Sequence, residues 1–496
     1  MNVIIHLYIF YWLIILKENS MTKTKILLSA ATLSILGYLG VGSYVHFYDK
    51  EQAEQLIEES KLPESSKKVA SIFFNNGCQY CHTPNANLPF YAKFPLVKNM
   101  VHHDIEQGNK FFDLNNILEG MKDPSKLSEV SLAKLESVIL NNEMPIPSFK
   151  LIHWGTGLNE QEKKTVLNWI RKQRKTYFLP HNIKGADSSR SLQPIPDSIP
   201  TDAKKVALGF MLYHDTRLSG DNTVSCHTCH QLKAGGVDGL ATSTGINGNK
   251  GGINAPTVYN AAFNFVQFWD GRAKDLADQA GGPPFNPVEM GSKDWKQIIA
   301  KLKEDKEFTK QFLEVYPELN GKNITDAIGE FEKTLITPNS AFDLYLKGDK
   351  KALTAAQVRG YHLFVENKCD TCHSGAAMGG QSFEYMGLYD DYFAARGSAQ
   401  TDADKGRFAV TKNPADMHKF KVPTLRNVAL TAPYMHDART DKLREAVKIM
   451  LHYQRGKDLP EKDVDDITAF LESLTGQYQG KTLTNSHDKG NKNTKE

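Results

Sequence analysis

Residues 224–239 read VSCHTCHQLKAGGVDG, and the spacing of Cys226, Cys229 and His230 within them decides the fold. The same Cys-x-x-Cys-His spelling recurs at Cys78-Gln-Tyr-Cys81-His82 and at Cys369-Asp-Thr-Cys372-His373. The three copies use all 6 cysteines of the chain. Two thiols about one helical turn apart can add to the two vinyl groups of one haem, and the adjoining imidazole then lies under the iron. A disulfide framework has no use for a His after every second Cys, and 6 cysteines in 496 residues are too few for one. A structural zinc site needs four ligands from paired motifs, whereas these motifs stand far apart. A thioredoxin-type pair explains one Cys-x-x-Cys but not three followed by His. The reading is three covalent haem c groups, with His82, His230 and His373 as iron ligands.

Composition sets only bounds. Hydrophobic residues at 40% and charged residues at 24% are ordinary for globular protein, and the length suits about three domains. No Lys/Arg run interleaved with aromatics suggests nucleic acid, and a net charge of +3 names no partner. Ile26 to Tyr48 carries no formal charge and is long enough to cross a bilayer as a helix. Lys23 and Lys25 precede it while Asp49, Glu51 and Glu54 follow, which predicts a single-pass anchor with the haem domains outside. The stretch is long for a signal peptide and lacks a clear cleavage site. A periplasmic location at a bacterial inner membrane follows. Residues 1–20 hold a second, shorter apolar run, MNVIIHLYIFYWLIIL. If both runs inserted as a hairpin, the haem domains would share a side with the N-terminus. The residues after Met21, TKTK, make an ordinary basic leader, so the expected start is Met21 and 21–48 is the anchor.

Similar apolar segments precede the haem motifs: Val69 to Gly77, Val206 to His214 with a longer loop, and Gly360 to Lys368. Thr165–Ile170 and Val464–Leu471 carry apolar residues at helical spacing and close the first and third units. Small cytochrome c domains are built this way. The expected fold is therefore mainly α, three cytochrome c-type haem domains after an N-terminal transmembrane helix. The boundaries are 49–180 for the first haem domain, 181–204 for a Ser/Pro-rich linker, 205–340 for the second haem and 341–475 for the third. Residues 476–496 are polar and read as a disordered tail.

Two long strings carry more than the haem motifs. They are INAPTVYNAAFNFVQFWDGRAKDLADQAGGPPFNPVEMG, Ile253 to Gly291, and VPTLRNVALTAPYMH, Val422 to His436, the latter followed by AVKIM ending at Met450. Between Thr201 and Gly476 the chain closely resembles the bacterial dihaem cytochrome c peroxidase family. With its extra haem domain and anchor it resembles the membrane-bound tri-haem branch, which includes quinol peroxidases. The resemblance implies that the haem on Cys226 and Cys229 is peroxidatic, with Glu289 as acid–base carboxylate and Gln279 as distal amide. Heterolytic cleavage of peroxide moves a proton from one oxygen to the other, which suits such a pair. It implies that Trp269 lies between the two core haems, and that Met450 is the distal ligand of the haem on Cys369 and Cys372. A Met/His pair raises the potential, as an electron-accepting haem requires. Asn254, Thr431 and Pro433 match residues that hold calcium through hard oxygen ligands. The plainer readings are a surface carboxylate for Glu289, a solvated helix residue for Gln279 and core packing for Trp269 and Met450. For the calcium set the plainer reading is turn chemistry.

One departure stands out. Family members often carry a His in the loop matching Gly245-Ile-Asn-Gly-Asn-Lys250, where it caps the resting peroxidatic iron. This loop has none, so the oxidised enzyme is expected to have that iron open, water-filled or capped from elsewhere, Met290 being a neighbour in sequence. The distal ligand of the first haem lies among Met100, Met121, Met144, His102, His103 and His153. Met144, followed by Pro145 and Pro147 and placed shortly before the closing helix, is the favoured one. The expected activity is reduction of hydrogen peroxide to water with electrons from a membrane quinol or a soluble cytochrome, passed from haem one to haem three to haem two. A plain electron-transfer cytochrome would not need Glu289 and Gln279. A haem-based peroxide sensor would need an output domain, and none is visible.

Overall fold

The computed structural model describes residues 20–178 and 183–485. Residues 1–19 of the N-terminal extension, 181–182 at the start of the expected linker and 486–496 of the expected tail lie outside that description. The chain forms two compact units, Met1–Ile170 and Arg171–Glu496. The fold is mainly helical, with only two two-stranded antiparallel sheets among the described residues.

The first unit opens with one uninterrupted helix, Ser20–Glu59. At 1.5 Å per residue its 40 residues extend about 60 Å, roughly twice the hydrocarbon thickness of a bilayer. In its lower half the apolar side chains face outward: Leu33 is 70% and Leu36 59% exposed. In its upper half Gly42, Val45, Asp49 and Ala53 recur at three- and four-residue steps and are buried. That stripe packs on the rest of the unit. The Glu64–Asn75 helix then buries Val69, Ala70, Phe73 and Phe74, and a left-handed turn at Gly77 (φ 70°) delivers the chain into the Cys78–His82 helix. The Glu160–Gln173 helix closes the unit, burying Val166, Trp169 and Ile170.

The second unit contains two apolar cores built on one plan. In one, the Ala203–Tyr213 helix that leads towards Cys226 crosses the Gly321–Glu332 helix; a Cβ at Gly209 would lie 1.9 Å from the Ala327 carbonyl oxygen. In the other, the Ala355–Glu366 helix that leads towards Cys369 crosses Glu461–Glu472, and a Cβ at Gly360 would lie 1.8 Å from the Asp466 carbonyl oxygen. Such separations admit only glycine, so each crossing is set by one residue. An alanine at either would force the helices apart, an overpacking worth about 1–3 kcal/mol.

Two expectations need correction. The segment after 183 is not a free linker. Leu192 and Ile195 are buried, Ile195 N–H donates to Asp343 at 3.1 Å, and the Gln193 carbonyl accepts from Arg426 at 2.8 Å. Its low periodicity hid that an interior ion pair, Arg426–Asp343 at 2.9 Å, satisfies its backbone. The chain beyond Gly476 is not a tail throughout either. Gln477–Tyr478 pairs with Lys481–Thr482, Leu483 is buried, and Tyr478 meets Tyr259 with ring centroids 5.3 Å apart.

Candidate functional site

The three haem motifs share one arrangement. Each proximal-position imidazole is turned so that Nδ1 faces backbone carbonyls, which can only accept. His82 Nδ1 lies 3.1 Å from Gly108 O and 3.0 Å from Phe112 O; His230 Nδ1 lies 3.3 Å from Gly236 O, and His373 Nδ1 3.2 Å from Met378 O. Nδ1 therefore carries the proton and Nε2 keeps its lone pair, the tautomer an iron ligand needs. Burial lowers the pKa of all three, that of His373 to about 4, so the rings stay neutral. None of the six cysteines is in a disulfide. Burial pushes Cys78 and Cys369 up to about 12 and Cys81 and Cys229 up to about 11. Redox-active or metal-binding thiolates sit where the pKa is lowered. Buried neutral thiols with a ligand-ready imidazole fit thioether attachment of haem.

Around the second motif, residues 283–291 fold back on themselves. Gly291 N–H donates to Asn286 O at 2.9 Å and Ser292 N–H to Pro284 O at 2.8 Å. This brings Glu289 towards the motif, and the negative charge of Glu289 is among the causes that raise the Cys229 pKa. Asn286 Nδ2 donates to Glu289 Oε1 at 2.8 Å. Burial raises the Glu289 pKa, partly offset by Arg272 and by the Asn286 hydrogen bond. Arg272 itself lies over the Phe268 ring, 3.5 Å from its centroid, and pairs with Asp270 at 3.0 Å. Glu289 is thus a half-buried carboxyl with a raised pKa, positioned by one amide. Gln279 lies on the short Leu276–Ala280 helix, half-buried, and no hydrogen bond described joins its side chain to Glu289.

The loop at 245–250 is anchored to the same carboxylate segment. Ile246 N–H donates to Glu289 O at 2.9 Å, Asn249 Nδ2 reaches Pro287 O at 3.3 Å, and a Cβ at Gly245 would lie 2.2 Å from Val288 O. Asn247 is exposed in a left-handed conformation (φ 56°). Met290 is 2% exposed and packs in the apolar core with Ile246, so capping an iron would require it to leave that core.

Trp269 Nε1 donates to Asn254 O at 2.9 Å, bringing together two residues expected to bridge and to bind calcium. Its ring lies 6.4 Å from Phe420 and 6.4 Å from His436, which stacks on Phe420 at 4.3 Å. His436 Nε2 pairs with Asp404 at 2.8 Å, and Asp404 with Arg396 at 2.7 Å. Although burial opposes it, these partners hold Asp404 well below the usual carboxylate range. Asn254 Nδ2 donates to Leu240 O at 3.0 Å, which leaves the amide oxygen to face another partner. Thr431 and Pro433 follow the Val428–Leu430 turn. These are hard oxygen donors of the kind calcium takes, but no described hydrogen bond joins Asn254 to Thr431 or Pro433. Met450 is half-buried on the Leu443–Arg455 helix.

In the first unit Met144 is 37% exposed on the loop before the Pro147–Lys150 turn. Met121 is buried on Leu114–Lys122, and Met100, His102 and His103 are exposed on Pro95–Phe111. Both ring nitrogens of His153 are engaged, Nδ1 by Asp49 at 2.7 Å and Nε2 by the Tyr91 hydroxyl at 2.5 Å. Sequence reasoning missed Asn286, Arg272, His436 and Asp404. Arg272, Asn286 and His436 stood inside the quoted strings and Asp404 outside them; all four gain their contacts only through tertiary packing.

Imidazoles with Nδ1 tied to backbone carbonyls, each next to a pair of buried thiols, fit the class of haem c proteins. Comparison with known proteins narrows the class. Residues 203–351 match the family model described as di-haem cytochrome c peroxidase, and residues 37–172 match a haem-binding domain. The chain is 50% identical to cytochrome c peroxidase Ccp of Escherichia coli over 89% of its own length and 94% of that protein's. It is 44% identical to cytochrome c551 peroxidase of Pseudomonas aeruginosa over 58% of this chain and 86% of that one. A crystal structure of a MauG-like protein associated with microbial copper homeostasis matches with a TM-score of 0.52 at 29% identity, over 61% of this chain and 96% of that one. The chain belongs to the di-haem cytochrome c peroxidase family and is an oxidoreductase that acts on peroxide.

Proposed function

We propose that the protein is a membrane-anchored peroxidase with three covalent haems that reduces hydrogen peroxide to water with electrons from membrane quinol. Bound haem supplies an iron that binds peroxide and carries electrons; the chain supplies proton transfer, positioning and anchorage. Glu289 takes a proton from one peroxide oxygen and returns it to the departing one, a task for which a raised carboxyl pKa is suited. Gln279 hydrogen-bonds the departing oxygen without competing for that proton. Cys226 and Cys229 attach the peroxidatic haem with His230 beneath it. Cys369 and Cys372 would attach the accepting haem, with His373 and Met450 as the residues that would hold its iron. Cys78 and Cys81 attach the haem nearest the membrane between His82 and Met144. Trp269 bridges the core haems, and Asn254, Thr431 and Pro433 hold calcium beside it.

The observation that supports the quinol reading is the Ser20–Glu59 helix, which runs without a break from exposed apolar residues into the unit bearing the first haem motif. An anchor of this kind makes the inner membrane the place of electron supply and leaves the haem units in the periplasm. The relatives named cytochrome c551 peroxidase keep a soluble cytochrome as the second reading. Peroxide turnover by the full chain in membrane vesicles, with a short-chain quinol and separately with reduced cytochrome c, tests both. Quinol should sustain turnover. Turnover with cytochrome alone would overturn the donor, and turnover with neither would overturn the peroxidase.

A further inference from the structure

The first unit contains a buried polar chain that peroxide chemistry does not use. His153, 1% exposed, gives its Nδ1 proton to Asp49 Oδ2 at 2.7 Å, and Asp49 Oδ1 accepts from the Tyr80 hydroxyl at 2.8 Å. With Nδ1 protonated, Nε2 accepts from the Tyr91 hydroxyl at 2.5 Å. Phe149 stacks on the imidazole with centroids 3.7 Å apart and fixes its plane. The ends of the chain are informative. Asp49 belongs to the Ser20–Glu59 helix, Tyr80 lies between the two cysteines of the first haem motif, and Tyr91 lies within the electrostatic reach of Cys81.

Beside this chain lies an aromatic patch continuous with the apolar helix. Trp154 Nε1 donates to the Tyr38 hydroxyl at 3.2 Å, and its ring lies against Gly42, where a Cβ would come within 2.1 Å. Tyr44 meets Phe90 at 5.0 Å and Phe90 meets Phe94 at 5.6 Å, all three exposed. Exposed Tyr and Phe with a half-buried Trp, at the upper end of a helix that on this reading spans the bilayer, belong at the headgroup level. That is also the depth of a quinol headgroup. A phenol–imidazole–carboxylate chain there, reaching the first haem motif, is arranged to take protons where electrons leave.

Resting on the quinol reading above, we propose that this junction is the quinol-oxidising site, with Tyr91 as the group that accepts the substrate's protons and His153 and Asp49 as its positioning partners. Each of the two quinol O–H bonds breaks in turn. The proton passes to the Tyr91 oxygen as Tyr91 gives its own to His153 Nε2, and leaves from there to solvent. The two electrons go one at a time to the first haem. They are consumed with two protons in reducing peroxide, so that one quinol and one hydrogen peroxide give one quinone and two waters.

Tyr91→Phe keeps the ring and removes only the hydroxyl. In full-length holoenzyme in lipid nanodiscs, reduction of the first haem by a short-chain ubiquinol, followed by stopped-flow absorbance without peroxide, should slow by about 10²-fold. The solvent deuterium isotope effect on that step should change, while the midpoint potential of the first haem and its reduction by dithionite should not. An azido-ubiquinone should photolabel residues 38–48, 90–94 or 151–154 in the unaltered protein. A Tyr91→Phe protein reduced by quinol at the native rate, or label confined to other segments, overturns the site while leaving the quinol reading intact. An unaltered protein that quinol cannot reduce at all overturns the quinol reading itself. If Tyr91→Phe fails to incorporate haem, the labelling decides.

Discussion

Glu289 shows how the surroundings of one carboxyl set its pKa. Burial raises it, and two neighbours hold it from rising further: Arg272 by its charge, Asn286 by a hydrogen bond of 2.8 Å to Oε1. Replacing Glu289 by Gln keeps the shape and removes the proton carrier, so peroxide turnover should fall by about 10²-fold or more with haem content unchanged. Native-like turnover in that variant would assign the proton to another group. Asn286 gives a finer test. Its amide favours the ionised carboxylate, so Asn286→Leu should move the Glu289 pKa upward. Glu289 must be ionised to accept the first proton, and the acid limb of kcat/KM should therefore shift to higher pH. A downward shift, or none, would mean that Glu289 does not set that limb. Glu289 was legible because it sits in a long string with family resemblance. Asn286 stands in the same string, three residues away, yet its function comes from the fold-back of 283–291, which spacing does not reveal. The Nδ1 partners of the haem imidazoles were likewise invisible. They are backbone carbonyls, and any side chain could have stood there.

At the scale of elements, helices that enter haem motifs were legible from apolar periodicity, but the closing helix of the second core was not. Gly321–Glu332 lies far along the chain from Cys226, and only the crossing at Gly209 shows that it plays the part that Glu461–Glu472 plays for the third motif. Residues 183–200 and 477–485 read as irregular because their order comes from distant partners such as Arg426, Asp343 and Tyr259. The 245–250 loop is the element with the clearest functional consequence. It contains no His, and its anchor points on Glu289 and Pro287 hold it as one short turn with Asn247 exposed. Met290, the neighbouring alternative cap, is committed to the core. The fully oxidised enzyme should therefore bind cyanide without prior reduction and show a high-spin ferric fraction. Asn247→His offers an imidazole on this loop, and should make the ferric spectrum more low-spin and cyanide binding dependent on pre-reduction. A native enzyme that is purely low-spin and ignores cyanide until reduced would show that another group caps the iron.

At the scale of the molecule, the proposed electron route starts in the first unit and ends at the motif of Cys226, Cys229 and His230. The Ser20–Glu59 helix is continuous with the unit holding Cys78, Cys81 and His82, and on the proposed reading a membrane donor would reduce the haem of that unit first. Among its candidate sixth ligands, His153 has both nitrogens occupied, Met121 is packed in the core, and Met144 stands on the loop between the Glu129–Leu140 helix and the Pro147–Lys150 turn. A thioether favours ferrous iron relative to an imidazole, so Met144→His should keep the first haem six-coordinate while lowering its midpoint potential. Three haems per chain should still be found by alkaline pyridine haemochrome titration, because no cysteine has changed. Quinol then faces a less favourable acceptor, and quinol-driven peroxide turnover should slow. Small reductants that reach the haems of the second unit directly bypass that step and should be affected less. The two donors thus separate where electrons come in from where peroxide is cleaved. If the spectrum and potential of the first haem do not move in this variant, Met144 is not its ligand. If they move while turnover with both donors falls equally, electrons do not pass through the first haem on their way from quinol.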